Sequence, residues 1–86
     1  MTPAEAQGAI RGLARAGRVR YVRHAVERMD ERGATRNDVE HTLMNASRCV
    51  WQPSKETWKV FGMDLSGDEL VVAVAIEDGL LVVTVF

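Results

Sequence analysis

The sequence predicts an α+β domain in which two to three N-terminal helices pack on a curved antiparallel sheet of about four strands. Three observations lead there. Hydrophobic residues recur at helical spacing through the first half of the chain. Past Ser47 the period changes to strand-like. Two almost wholly apolar runs, Leu70 to Ile76 and Leu80 to Phe86, close the chain around the turn residues Glu77-Asp78-Gly79.

The elements follow in order. Thr2-Pro3-Ala4-Glu5 has a capping residue, a proline suited to the first helical position and the glutamate of a capping box. A helix from there to about Ala16 stops at Gly17; its apolar stripe, Ala6, Ile10, Leu13 and Ala14, is thin, so loose docking is expected. Val19 to Val22 is a short extended lead-in to a second helix over Arg23 to Arg32, with Val26 and Met29 toward the core and Gly33 as its stop. Thr35, with Asp38 three residues on, opens a third helix that ends near Asn45 and carries Val39, Leu43 and Ala46 at helical spacing. Arg48 to Gln52 and Thr57 to Met63 are the first two strands, the latter alternating Trp58 and Val60 against Lys59 and Phe61. Asp64 to Asp68 is a loop, and the two apolar runs are the next strands. Because continuous apolar strands are usually buried on both faces, they should form the centre of the sheet. Helices would cover one face; a loop, the first helix or a second subunit would cover the other.

The 86 residues suffice for one domain and one core. Net charge is −1, which argues against a general nucleic-acid coat protein. The charge is uneven: residues 1–48 hold nine Arg and six acids, a balance of +3, and residues 49–86 hold two Lys and six acids, a balance of −4. A basic face on the helical half is therefore compatible with the sequence. A single cysteine, Cys49, cannot form an intrachain disulfide and fits a reducing compartment. The longest apolar run is far short of the roughly 20 residues that span a membrane, and arginines interrupt the N-terminal segment. The expectation is a cytoplasmic protein without a membrane partner.

The densest polar segment is His24 to Gly33. On a helix His24, Arg28 and Arg32 point the same way. One imidazole and two guanidinium groups match a phosphate, and a neutral His24 could act as a base. Equally, Glu27, Asp30 and Glu31 could pair with these bases on a solvated face. Lys59 could meet a phosphate lying across the sheet or guard an edge strand. Thr84, the one polar residue in its strand, could sit at a site mouth or pack with a backbone bond. His41 reads as a surface residue, Cys49 as a small packed one. Trp51 and Trp58 suit a core or an interface, and base stacking is open to them. Two histidines and one cysteine without suitable spacing make no zinc motif, and no Gly-rich phosphate loop is present. No metal and no cofactor are expected.

The run His24-Ala-Val-Glu-Arg28-Met-Asp-Glu-Arg32-Gly33-Ala-Thr, followed by Asp38-Val39 and a terminal strand ending Val83-Thr84-Val85-Phe86, resembles the DUF4258 family over about residues 20–86. Arg23 stands where that pattern often has Thr or Ser, Ala34 where it has Ile, and Phe86 where it has Tyr. The resemblance implies a fold like that of the RelE/ParE and BrnT group of small bacterial toxins. It also implies a metal-independent ribonuclease of a toxin–antitoxin system. His24 would be base or acid, Arg28 a catalytic phosphate ligand, and Lys59 and Thr84 accessory catalytic groups, with Arg32 and Arg23 holding RNA. RNA, an antitoxin protein or a second copy of the chain are the partners so implied. The alternative is a non-catalytic module on the same fold, binding a protein or dimerising through its sheet.

Overall fold

A computed structural model describes residues 1–86. Helix α1, Pro3–Arg15, begins with the capping box that its sequence encodes: the Glu5 N–H donates to the Thr2 hydroxyl (3.1 Å) and the Thr2 N–H to the Glu5 carboxylate (2.8 Å). Ala6, Ile10 and Ala14, four residues apart, are its buried stripe. The docking is firmer than the stripe implies. Gln7 Nε2 (2.9 Å) and Arg11 Nε (2.8 Å) both donate to the Ala46 carbonyl, Arg11 adds a second bond there through Nη2, and Arg15 Nη2 donates to the Met44 carbonyl (3.0 Å). Those carbonyls lie at and just past the end of helix α3, Arg36–Met44, where the last turn has no partners of its own. Three long polar side chains of α1 thus close the end of α3 while Ile10 fills the core.

Between them lie strand β1, Val19–Tyr21, and helix α2, Arg23–Arg32. Helix α2 stops at Gly33, which takes the left-handed conformation (φ 67°). Its buried residues are Ala25 and Met29, whereas Val26, expected in the core, is 39% exposed. The small Ala25 is the residue that lets the helix axis come close to the sheet. Helix α3 opens with the second capping box, the Thr35 hydroxyl accepting from the Asp38 N–H at 3.0 Å and the Asp38 carboxylate from the Thr35 N–H at 3.0 Å.

Four further strands follow: β2 Arg48–Gln52, β3 Thr57–Met63, β4 Glu69–Ile76 and β5 Leu80–Val85. The sheet has five strands rather than four, in the order β1-β5-β4-β3-β2, and it is mixed rather than purely antiparallel. The extra strand is the lead-in Val19–Tyr21, which lies parallel to β5 with Val19 opposite Leu80 and Tyr21 opposite Val82. Its partner comes some sixty residues later, so no local turn signal announces the pairing. As expected, β4 is central and β5 is inside.

All three helices lie on one face. One buried cluster joins Ile10, Met29, Val39 and Leu43 to Val60, Val72, Val74, Leu80, Val82 and Val85. The other face bears no helix; most of its residues are partly buried, while Ala73 (2% exposed) and Thr57 (5%) are covered by their neighbours. A bulge between Ala73 and Val74 sets the register there: Ala73 pairs with Thr84 and Val74 with Val82, leaving Val83 as the extra residue. The bulge lets Val82 and Val85, three apart, both face the helices, and it turns Thr84 to the open face. No helix is long and apolar enough to cross a membrane.

Candidate functional site

Strand β1 pairs with only the first half of β5. Helix α2 runs along the edge that β1 leaves free. The Val22 N–H donates to the Val82 carbonyl (3.1 Å) and, farther along, Arg28 Nε donates to the Val85 carbonyl (3.2 Å). This placement brings His24 to Thr84, with Nε2 3.4 Å from Oγ1, so a proton can be shared between them in either direction.

Thr84 belongs to a row that crosses the open face. It is in register with Ala73 of β4, Ala73 with Lys59 of β3, and Lys59 with Val50 of β2. Adjacent strands are about 4.8 Å apart, so the Lys59 and Thr84 backbones stand roughly 10 Å apart with only a methyl group between them. Ala73, the middle of the row, is 2% exposed, and the Lys59 side chain reaches toward the neighbouring row. Lys59 is on an inner strand, so the edge-guard reading fails: β2 is the edge.

The neighbouring row adds aromatic rings. Phe61 pairs with Arg48 on one side and Val71 on the other, and the Phe86 N–H donates to the Val71 carbonyl (2.9 Å). The Arg48 guanidinium lies 4.2 Å from the Phe61 ring centre, and Lys59 Nζ lies 4.8 Å from that of Phe86 and 5.6 Å from that of Phe61. Neither cation has a carboxylate partner, so each is held by ring quadrupoles alone. Arg48, Phe61 and Phe86 were not singled out from the sequence as site residues. The alternation of Lys59 and Phe61 against Trp58 and Val60 was the available signal.

The other candidates divide. Arg28 is engaged, by Val85 and by an ion pair with Glu31 at 3.7 Å. Arg23 forms an exposed pair with Glu27 at 3.8 Å, and Arg32 is exposed without an ion pair or hydrogen bond. The structure therefore joins His24 to Thr84, sets Lys59 in their row and keeps Arg28 one helical turn away. Arg23 and Arg32 stand in solvent at the two ends of α2.

Elsewhere, polar groups have structural partners. His41 Nδ1 is 3.1 Å from the Met63 carbonyl, so His41 is tied to β3 rather than free at the surface. The Tyr21 hydroxyl donates to the Glu40 carboxylate at 2.6 Å; burial, that bond and the carboxylate charge push its pKa far up and keep it protonated. The buried Cys49 thiol donates to the Pro3 carbonyl (3.1 Å), and burial raises its pKa, which disfavours a thiolate nucleophile. No cluster of three or more His, Cys, Asp or Glu side chains could hold a metal ion. A groove of about 540 Å³ lies at Trp51 and Trp58, whose strand positions face the helices, not the open face.

A comparison with curated proteins returns no match. A family model does match: DUF4258, described as a domain of unknown function, aligns with residues 21–86. That stretch contains α2, α3 and strands β2 to β5 but only Tyr21 of β1, leaving α1 outside it, and the chain belongs to the DUF4258 family.

Proposed function

We propose that the open face of the sheet binds RNA and cleaves it without a metal, in the manner of the RelE/ParE and BrnT group of bacterial toxins that the DUF4258 pattern resembles. The observation that carries this reading is the His24–Thr84–Ala73–Lys59 row, which sets an imidazole and an unpaired ammonium on the two sides of a single alanine. In the proposed reaction His24 Nε2 takes the proton of a ribose 2′-OH. The 2′ oxygen attacks phosphorus, the bond to the 5′ oxygen breaks, and that oxygen takes a proton from water. The products are a 2′,3′-cyclic phosphate and a 5′-hydroxyl. Lys59 offsets the charge that builds on the non-bridging oxygens, and Thr84 orients the imidazole. Arg28, with the part of its guanidinium that Val85 and Glu31 leave free, and Arg32 hold flanking phosphates. Phe61 and Phe86, each beside a cation, offer stacking surfaces to unpaired bases.

The test is incubation of the purified chain with a mixed RNA pool in EDTA. Cyclic-phosphate ends should appear with wild type. They should fall at least about 100-fold with His24→Ala, the usual worth of a general base, and fall with Lys59→Ala. An RNA carrying 2′-deoxyribose at the cut position should resist. The second reading, a non-catalytic module that binds an antitoxin-like protein or a second copy through its sheet, draws on the engagement of Arg28 by Val85 and Glu31. Folded wild type that leaves every RNA intact decides for it.

A further inference from the structure

The groove at Trp51 and Trp58 is separate from the His24 row and has its own chemistry. Trp58 is 6% exposed and forms its inner wall; Trp51, on edge strand β2, is 43% exposed. Their ring centres are 5.1 Å apart at an interplanar angle of 56°, so neither indole lies flat over the other. Met1, Pro3 and Ile76 supply aliphatic lining; Glu56 and Glu77 also line the groove and neither carboxylate is in an ion pair, the Arg20 guanidinium donating to the main-chain carbonyl of Glu77 instead. Both acids belong to the half of the chain whose balance is −4.

An indole face beside unpaired carboxylates favours a cation, and best a planar one on an apolar stem. A guanidinium stacks on the ring, donates to carboxylate oxygens in pairs, and lays its methylenes against proline and isoleucine. The volume, about 540 Å³, exceeds that of one arginine side chain and leaves room for the residues on either side of it. The geometry points to this groove as a receptor for an arginine side chain presented by an extended segment of a partner polypeptide. An uncharged apolar segment would leave two carboxylates to be desolvated without compensation.

The chain's two tryptophans both line the groove, so tryptophan fluorescence, excited apart from Tyr21, reports on it in the folded protein. The probe is capped Ala-Arg-Ala, compared with the same tripeptide carrying citrulline, which keeps the shape and loses the charge, and with n-butylguanidinium. The Arg peptide should give a saturable change, with citrulline at least tenfold weaker. The Glu56→Gln/Glu77→Gln variant should lose that preference while keeping the wild-type urea midpoint. The same variant should cleave RNA as wild type does, so the two sites fail independently. No saturable response, or equal binding of the citrulline peptide, overturns the inference. Butylguanidinium binding as tightly as the peptide overturns the polypeptide assignment, because flanking residues would then contribute nothing.

Discussion

A methyl group added to β3 should destabilise the protein where the same group added to α1 stabilises it. A Cβ built on Gly62 would lie 2.8 Å from the Thr42 carbonyl oxygen and 3.0 Å from Thr42 Cγ2. The first of these is backbone, so α3 itself must retreat. The retreat loosens the fully buried Val39 and Leu43 and stretches the bond from the Thr42 hydroxyl to the Met63 carbonyl of β3 (3.1 Å), while its bond to Asp38, within α3, moves with the helix. Overpacking of this kind costs about 1–3 kcal/mol. Removing glycine's freedom from the unfolded chain returns roughly 0.5–1 kcal/mol, so Gly62→Ala should lose about 0–2.5 kcal/mol net. Around Gly8 nothing lies within 4 Å of an added Cβ, and the position is helical, so Gly8→Ala should gain roughly 0.5–1 kcal/mol from helix propensity. Urea unfolding followed by tryptophan fluorescence reads both; in a domain of this size each kcal/mol moves the melting temperature by about 4–8 °C. A Gly62→Ala protein stabilised as Gly8→Ala is would refute the close packing of α3 on β3.

Three further outcomes follow from the same contacts. Arg11→Met keeps the aliphatic stem of the side chain but removes two charged bonds to the Ala46 carbonyl, leaving only Gln7 there, and should cost about 1–2 kcal/mol in the same titration. Glu5 and Asp38 are held below their ordinary values of 4.5 and 3.8, first by the backbone N–H groups of Thr2 and Thr35 respectively. Folded-state values that are depressed stabilise fully above those ordinary values and cease to as pH falls through the lowered ones. Melting temperature should therefore drop on the acid side of that window, and drop less in Glu5→Gln/Asp38→Asn. Cys49 should resist iodoacetamide in the native protein and react promptly in urea, as mass spectrometry will register.

Local chemistry made much of this fold legible. Both capping boxes, the Gly33 stop and the period change past Ser47 are written within a few residues of where they act. What was illegible depends on distant partners. Val19–Tyr21 is too short to read as a strand until Leu80–Val82 returns beside it. The docking of α1 looked weak because its stripe is mostly alanine; the bonds from Gln7, Arg11 and Arg15 to the end of α3 are invisible to a hydrophobic pattern. The helical spacing of His24 and Arg28 was readable, and so was the oddity of a lone Thr84. Their meeting required the bulge at Val83 and the free half of the β5 edge. Arg28 shows the limit of spacing arguments: it lies on the face it should, yet Val85 and Glu31 occupy it. The two tryptophans, read alike in sequence, part in the structure, one lining the inside of a groove and the other standing at its rim.

We propose above that RNA binds on the helix-free face of the sheet. Amide chemical-shift mapping of the ¹⁵N-labelled chain with a single-stranded RNA oligonucleotide tests it most directly, whatever the cleavage rate. Shifts should concentrate at His24, Arg48, Lys59, Phe61, Ala73 and Thr84 and weaken with salt as phosphate contacts do. Shifts confined to α1, α3 and the Trp51 groove, or none at all, would contradict it.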